Sequence, residues 1–279
     1  MQQLIDLSLP ISFQAPEPRQ PLVERKEHRK GGDEWGRIVA WPKKAPLPVK
    51  LRAAWGYLTG RRRITHQDFP NGYFLNDDVV TASVHCGTHL DAPFHFGPLC
   101  EGKPSRRISD IPLEWCYGPG VMLDVSHRKR GEEISSADLQ IALAAANYQL
   151  RPGDIVLLRT GTDKLWPSPA YFRSFPGVSA EATGWLLDQG IRTMGIDTPG
   201  FDSPFDVMMQ KYFQTHDQSC LWPSHFLGRQ REYVHMERLA HLDQLPAPGT
   251  FHVACFPVLV EGAGAGWIRA VAMIEKEEK

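Results

Sequence analysis

The sequence lacks long apolar runs and has no strong charge bias, and both absences narrow its possible functions. No stretch of its 279 residues approaches the roughly 18 consecutive apolar residues that span a bilayer. Its 31 lysines and arginines nearly balance 32 aspartates and glutamates, so the net charge of −1 provides no electrostatic basis for binding nucleic acid or an anionic membrane. We therefore expect a small-molecule substrate as the partner.

Cysteine is also scarce, and its pattern excludes a disulfide framework. The five cysteines are an odd, scattered set without a C-x-x-C pair, which is typical of reduced thiols in a cytosolic protein. The opening residues lack the basic and apolar segments of a signal peptide. We expect a cytoplasmic location. The cysteines are Cys86, Cys100, Cys116, Cys220 and Cys255.

The remaining composition, 42% hydrophobic, supports a full core, and the order of the predicted elements indicates an α/β class. We expect a single domain over residues 1–279 with a long loop or lid insertion at about 13–72, containing one short helix near 51–58. Apolar runs predict buried strands at 119–125, 155–159 and 193–197, capped helices at 139–148 and 180–189, and a C-terminal hairpin of 251–260 with 267–274.

One short segment concentrates the potential metal ligands. His85, His89, Asp91 and His95 lie within eleven residues, directly after a β-branched run at 79–84. If this run continues as a strand, alternate side chains share a face, so His85, His89 and Asp91 point the same way. Imidazole and carboxylate are the usual ligands of zinc and manganese. The segment therefore predicts a metal site, although two histidines four apart could also share a helix face or lie in a polar loop.

A metal site needs ligands from elsewhere in the chain, and residue chemistry alone does not identify them. His225 and Glu237 are candidates, but three other histidines of the C-terminal half compete with them. The competitors are His216, His235 and His241.

Four segments together resemble the metal-dependent cyclase family, which includes kynurenine formamidases, isatin hydrolases and polyketide cyclases. The family signature H-x-G-T-H-x-D-x-P-x-H is complete at residues 85–95. Residues 6–11 match its D-L-S-x-P-I opening, residues 195–198 its G-I-D-T strand, and residues 237–246 its E-x-L segment ending in L-D-x-L-P.

This resemblance implies a fold, a ligand set and an assembly. The implied fold is a swivelling β/β/α domain with a central mixed β-sheet or barrel, commonly assembled as a homodimer or homotetramer. His85, His89 and Asp91 would bind a first divalent metal, zinc or manganese. His225 and Glu237 would bind a second one, with Asp91 and Glu237 bridging, although some members hold a single ion and His216 competes with His225. The same resemblance makes His95 the catalytic proton donor and acceptor.

The resemblance leaves the reaction open between ring closure and hydrolysis. Residues 97–105 and 111–118 resemble cyclases of aromatic polyketide pathways, which favours a cyclase of antibiotic biosynthesis that closes a polyketide ring by intramolecular aldol-type condensation and dehydration. The alternative is an amide or lactam hydrolase of the kynurenine formamidase or isatin hydrolase type. A second alternative, a non-catalytic metal-binding component of a biosynthetic complex, predicts a damaged acid–base residue, whereas His95 is intact.

Overall fold

A computed structural model describes residues 2–275, which fall into two compact units. The first unit comprises the chain up to Gln20 and from Ser83 onward, and the second is Pro21–Ala82. Among the described residues, no helix is both long enough and apolar enough to cross a membrane.

The described strands and helices are numbered in chain order. The strands are β1 (Gln2–Asp6), β2 (Leu22–Lys26), β3 (Asp77–Thr81), β4 (His89–Asp91), β5 (Leu99–Cys100), β6 (Lys103–Pro104), β7 (Tyr117–Asp124), β8 (Glu133–Ile134), β9 (Ile155–Arg159), β10 (Gly177–Val178), β11 (Thr193–Ile196), β12 (Val234–Glu237), β13 (Phe251–Ala254), β14 (Ala265–Trp267) and β15 (Val271–Glu275). The helices are α1 (His28–Ala40), α2 (Leu47–Leu58), α3 (Pro93–Phe96), α4 (Ser136–Ala145), α5 (Ala180–Asp188), α6 (Phe205–Thr215) and α7 (Pro223–Leu227).

A mixed sheet organises the first unit. Within the described chain its nine strands run in the order β1-β15-β13-β7-β9-β11-β12-β4-β14. The four central strands β7, β9, β11 and β12 are parallel, and antiparallel strands extend the sheet on both sides. The predicted α/β class and central mixed sheet are confirmed.

Apolar side chains cover both faces of this sheet, and β9 shows why. Ile155 and Leu157 pack into one core with β1, β13 and β15, while Val156 and Leu158 pack into a second core with α4 and α5. Because side chains alternate along a strand, a continuous apolar run fits a strand that is buried on both faces. This explains why β9 and β11 could be predicted from composition alone.

The helix caps also follow the sequence signals. Ser135 and Asp138 form a capping box at the start of α4, and the Ser179 side chain accepts a hydrogen bond from the Ala182 amide at the start of α5. Gly190 follows α5 with a positive φ of 83°, as expected for a C-terminal cap.

The C-terminal hairpin is only partly confirmed. β13 and β15 pair antiparallel, but β14 lies between them in sequence and pairs with β4 at the other end of the sheet. Between β13 and β15 the chain therefore runs to the far edge of the sheet and back, and does not form the predicted tight turn.

The second unit has more regular structure than the predicted loop with one short helix. It contains the antiparallel pair β2–β3 and the two helices α1 and α2. Scarcity of apolar residues concealed α1, whose buried positions are all glycines: Gly31, Gly32 and Gly36. A lid function for this segment stays a prediction.

Candidate metal centre

Two neighbouring antiparallel strands form the base of the site. In their register His89 of β4 faces Glu237 of β12, and Asp91 faces His235. Directly opposed residues project on the same face of a sheet, so these two pairs bring four potential ligands together. His89, Asp91 and His235 are fully buried, and Glu237 is 6% exposed.

His85 joins the same cluster from a turn and not from the predicted strand. The strand before the motif ends at Thr81, so the expectation of one continuous strand through His85 is wrong. Residues 84–88 form turns and bends, and Gly87 has a φ of +68° that favours glycine. The turn nonetheless brings His85 Nδ1 to 3.0 Å from Asp91 Oδ1.

Two short helices contribute the remaining histidines. His95 lies in α3, with Nε2 3.8 Å from Asp91 Oδ2. His225 lies in α7, with Nε2 3.9 Å from the same oxygen and 3.8 Å from Glu237 Oε1. Its Nδ1 is 2.5 Å from Asp202 Oδ2, which directs Nε2 toward the carboxylates.

The two carboxylates divide the cluster into two groups of potential ligands. Asp91 Oδ1 lies close to His85 Nδ1 at 3.0 Å and His89 Nε2 at 3.5 Å, and Glu237 Oε2 is also 3.5 Å from His89 Nε2. The opposite oxygens, Asp91 Oδ2 and Glu237 Oε1, face His225 and His235. Each carboxylate therefore presents one oxygen to each group.

Several buried atoms of this cluster have no hydrogen-bond partner, which tests whether a cation fits. Among the described residues, His89 Nε2, both Asp91 side-chain oxygens and both His235 ring nitrogens lack one. Leaving buried polar atoms unpaired costs free energy, so native proteins rarely leave several together. Nitrogen and carboxylate oxygen atoms converging in this way are the ligands of zinc and manganese. The residues therefore fit a divalent metal.

Burial and close charges perturb the pKa values in the cluster. Burial raises the pKa of the Asp91 carboxyl, but His95, His89 and His85 outweigh it and hold that pKa well below the usual range. Burial likewise opposes the charged form of His235, yet its two neighbouring carboxylates raise its pKa to about 9. The cluster thus favours ionised carboxylates, which is the form that binds a cation, and a cation bound there would displace the proton of His235.

A cavity of about 280 Å³ opens beside the cluster and gives a substrate access to it. His85, His95, His225 and Glu237 line it on one side, and aromatic residues including Phe172 and Trp222 line it elsewhere. This volume lies at the small end of the range for ligand pockets.

Arg238 fixes the chain directly after Glu237. Its backbone has a φ of +61°, and its buried Nη1 donates to both carboxylate oxygens of Glu17 at 2.7 and 2.8 Å. Its carbonyl accepts from Thr88 Oγ1, whose backbone adjoins His89. These contacts tie together the two strands that carry the ligands.

The structure brings together all six residues singled out in the sequence: His85, His89, Asp91, His95, His225 and Glu237. Their individual roles stay predictions. Of the three competing histidines, His216 is the exposed C-cap of α6 and His241 Nδ1 bonds the Asp6 carbonyl, so neither joins the described cluster.

Sequence reasoning named His235 only as a competitor of His225 and did not consider Asp202. His235 joins Asp91, His225 and Glu237 in one group of potential ligands. Its position two residues before Glu237 was a usable signal, because residues i and i+2 of a strand share a face. Asp202, which orients His225, had no such signal.

Comparisons with known proteins found related sequences and folds. The family model described as "Putative cyclase" matches residues 5–203. The chain is 27% identical over 234 residues to the kynurenine formamidase of Bacillus mycoides, covering 84% of this chain and 90% of that one. It is 30% identical over 201 residues to a Bacillus cereus kynurenine formamidase, covering 71% and 79%.

Solved structures share the fold at lower identity. Isatin hydrolase A from Ralstonia solanacearum superposes with a TM-score of 0.70 at 20% identity, covering 98% of this chain and 92% of that one. An isatin hydrolase bound to the product analogue thioisatinate gives 0.68 at 19% identity, covering 99% and 93%.

Proposed function

The chain belongs to the putative cyclase family, and from that membership we propose that it is a metal-dependent hydrolase of a C–N bond in a small amide or lactam. One observation carries the proposal: buried ligand atoms without hydrogen-bond partners lie within 3.5 Å of His85 and Glu237, which line a cavity together with His95. A buried charged cluster with no ligand role would not leave so many polar atoms unpaired.

Hydrolysis is better supported than ring closure. The curated relatives described above are kynurenine formamidases, and neighbouring structures include isatin hydrolases. The segments that suggested a polyketide cyclase, 97–105 and 111–118, contribute no residue to the described lining of the cavity.

The metal ligands in this proposal follow the two groups of the cluster. His85, His89 and Asp91 would hold one zinc or manganese ion, and His225 with Glu237 a second, with Asp91 and Glu237 facing both. A divalent ion at such a site polarises a carbonyl group and makes water more acidic.

His95 is proposed to move the proton. Burial, reinforced by the neighbouring His85 and His225, lowers its pKa to about 4 despite the attraction of Asp91. The imidazole is therefore neutral at cellular pH and can accept a proton from the attacking water. It can then donate that proton to the leaving nitrogen, which would otherwise depart as a poor anion.

The substrate assay separates the two reactions. The metal-loaded protein is offered N-formylkynurenine, isatin and a tricyclic poly-β-ketone, with protein stripped by a chelator as the control. We expect hydrolysis of at least one of the first two, lost on stripping and restored by zinc or manganese. Turnover of the polyketide alone would refute the proposal. A homodimer or homotetramer and a cytoplasmic location stay predictions.

A further inference from the structure

His235 differs from an ordinary core histidine because its buried ring nitrogens have no hydrogen-bond partners among the described residues. Its ring is fully buried, and it is stacked between Phe201, with centroids 4.4 Å apart and planes at 9°, and Phe96, at 5.2 Å and 27°. The stacking itself requires an aromatic ring but no ring nitrogen. The imidazole instead introduces two buried nitrogens, neither of which has a hydrogen-bond partner among the described residues.

The distances around Nε2 match those between ligands of one ion. His235 Nε2 is 3.3 Å from Asp91 Oδ2 and 3.3 Å from Glu237 Oε1. Ligand atoms held about 2.0–2.1 Å from a tetrahedral zinc lie about 3.3 Å from one another. The His225 nitrogen is slightly farther from the same two oxygens, at 3.9 and 3.8 Å, and all four ligand atoms lie within 4.8 Å of one another.

A charged imidazolium paired with the two carboxylates is the competing explanation. A cation would present two N–H groups, and each would need an acceptor. Nδ1 has none, and the two 3.3 Å approaches of Nε2 do not have hydrogen-bond geometry. In a neutral ring, Nε2 can bind an ion through its lone pair, so only the Nδ1 N–H group is left without a partner. In a charged ring, both N–H groups would lack one.

We propose that His235 is the fourth protein ligand of a closed inner metal site formed with Asp91, His225 and Glu237. The inference rests on the metal-dependent function proposed above. Four protein ligands fill a tetrahedral zinc sphere, as in structural sites, whereas catalytic sites keep a position open. The inner ion would therefore be retained and would position the shared carboxylates.

The outer group then carries the exchangeable, substrate-accessible ion. In the outer group, formed by His85, His89 and Asp91, the His85 side chain is 33% exposed and lines the cavity. In the inner group the His225 and Glu237 side chains line the same cavity but are only 10% and 7% exposed, and His235 is fully buried. Water or substrate therefore reaches the outer ion more easily than the inner one. The two ions should differ in affinity and exchange rate.

The test is metal content per chain in His235→Phe, which keeps the aromatic stacking and removes the ligand nitrogen. His252→Phe is the matched control. His252 lies in β13, away from the cluster, and its ring stacks on that of Tyr117 with centroids 5.4 Å apart and planes at 14°. We expect two zinc ions in the natural protein and in the control, and one in His235→Phe. Affinity for the inner ion should fall by more than the roughly 10–100-fold that loss of an outer-shell partner costs.

Two full sites in a folded His235→Phe protein would overturn the inference while leaving the proposed function intact. A natural protein that binds no divalent metal would instead refute the proposed function. If the variant does not fold, cobalt titration of the natural protein decides. The first equivalent should give the intense visible absorption of tetrahedral Co²⁺, and weak bands throughout the titration would refute a closed four-ligand site.

Discussion

Replacing Asp202 by asparagine should weaken metal binding without removing any ligand. Asp202 Oδ2 accepts from His225 Nδ1 at 2.5 Å and from the His225 amide at 3.2 Å, while Oδ1 accepts from the Ser224 amide at 2.7 Å. An asparagine has one acceptor oxygen, so it cannot accept from both the Ser224 amide and His225. Its NH₂ group would face one of these donors. We expect loss of an outer-shell partner to lower metal affinity by about 10–100-fold, or about 1.4–2.7 kcal/mol.

The measurement is competition for zinc against a chromogenic chelator. Asp206→Asn is the control, because Asp206 is an exposed aspartate in the first turn of α6 that pairs with Arg130. A decrease confined to Asp202→Asn supports the role of this carboxylate in orienting His225. Unchanged affinity in Asp202→Asn would refute the reasoning, and an equal decrease in both variants would indicate a general loss of stability.

Three further outcomes follow from the geometry. His95→Asn should lower turnover by about 10²–10⁴-fold while metal content stays normal, and loss of metal would instead make His95 a ligand. Because burial lowers the pKa of His95 to about 4, its base form persists at neutral pH; an NMR titration of the His95 ring in the metal-free protein should give a midpoint near 4, and a midpoint near 6.5 would contradict this. Arg238→Met should destabilise the fold by about 3–5 kcal/mol in urea unfolding, because it leaves the buried Glu17 carboxylate unpaired, and Glu17→Gln should cost less.

The local part of the site could be predicted because its residues are close in sequence. His89 and Asp91 do lie on one strand face, as their spacing indicated. His85 shares their location for another reason, since a turn at Gly87 delivers it. The composition of the segment predicted a cluster of potential metal ligands, and the described residues form one, whereas the strand model for its first residue was wrong.

The distant part of the site depended on family resemblance. From residue chemistry, His216, His225, His235 and His241 were equivalent candidates. Which of them enters the cluster depends on how α7 and β12 dock against β4, and such long-range pairing leaves no periodic signal in the sequence. The short helix predicted near 51–58 corresponds to α2, whereas α1 was missed for a local reason, because its buried face is made of glycine in place of apolar side chains.

The strand register that assembles the ligands is set by apolar side chains on the opposite face. Leu90, Val234 and Met236 alternate with the ligands and pack into the core shared with β1, β13 and β15. A slip of β12 by one residue would turn Val234 and Met236 to the ligand side and bury His235 and Glu237 in that core, because side chains alternate along a strand. The free energy of burying these two large apolar residues, about 1.5–3 kcal/mol each, opposes the slip. The hydrophobic core thus holds four buried polar groups together that would repel or remain unsatisfied without a cation.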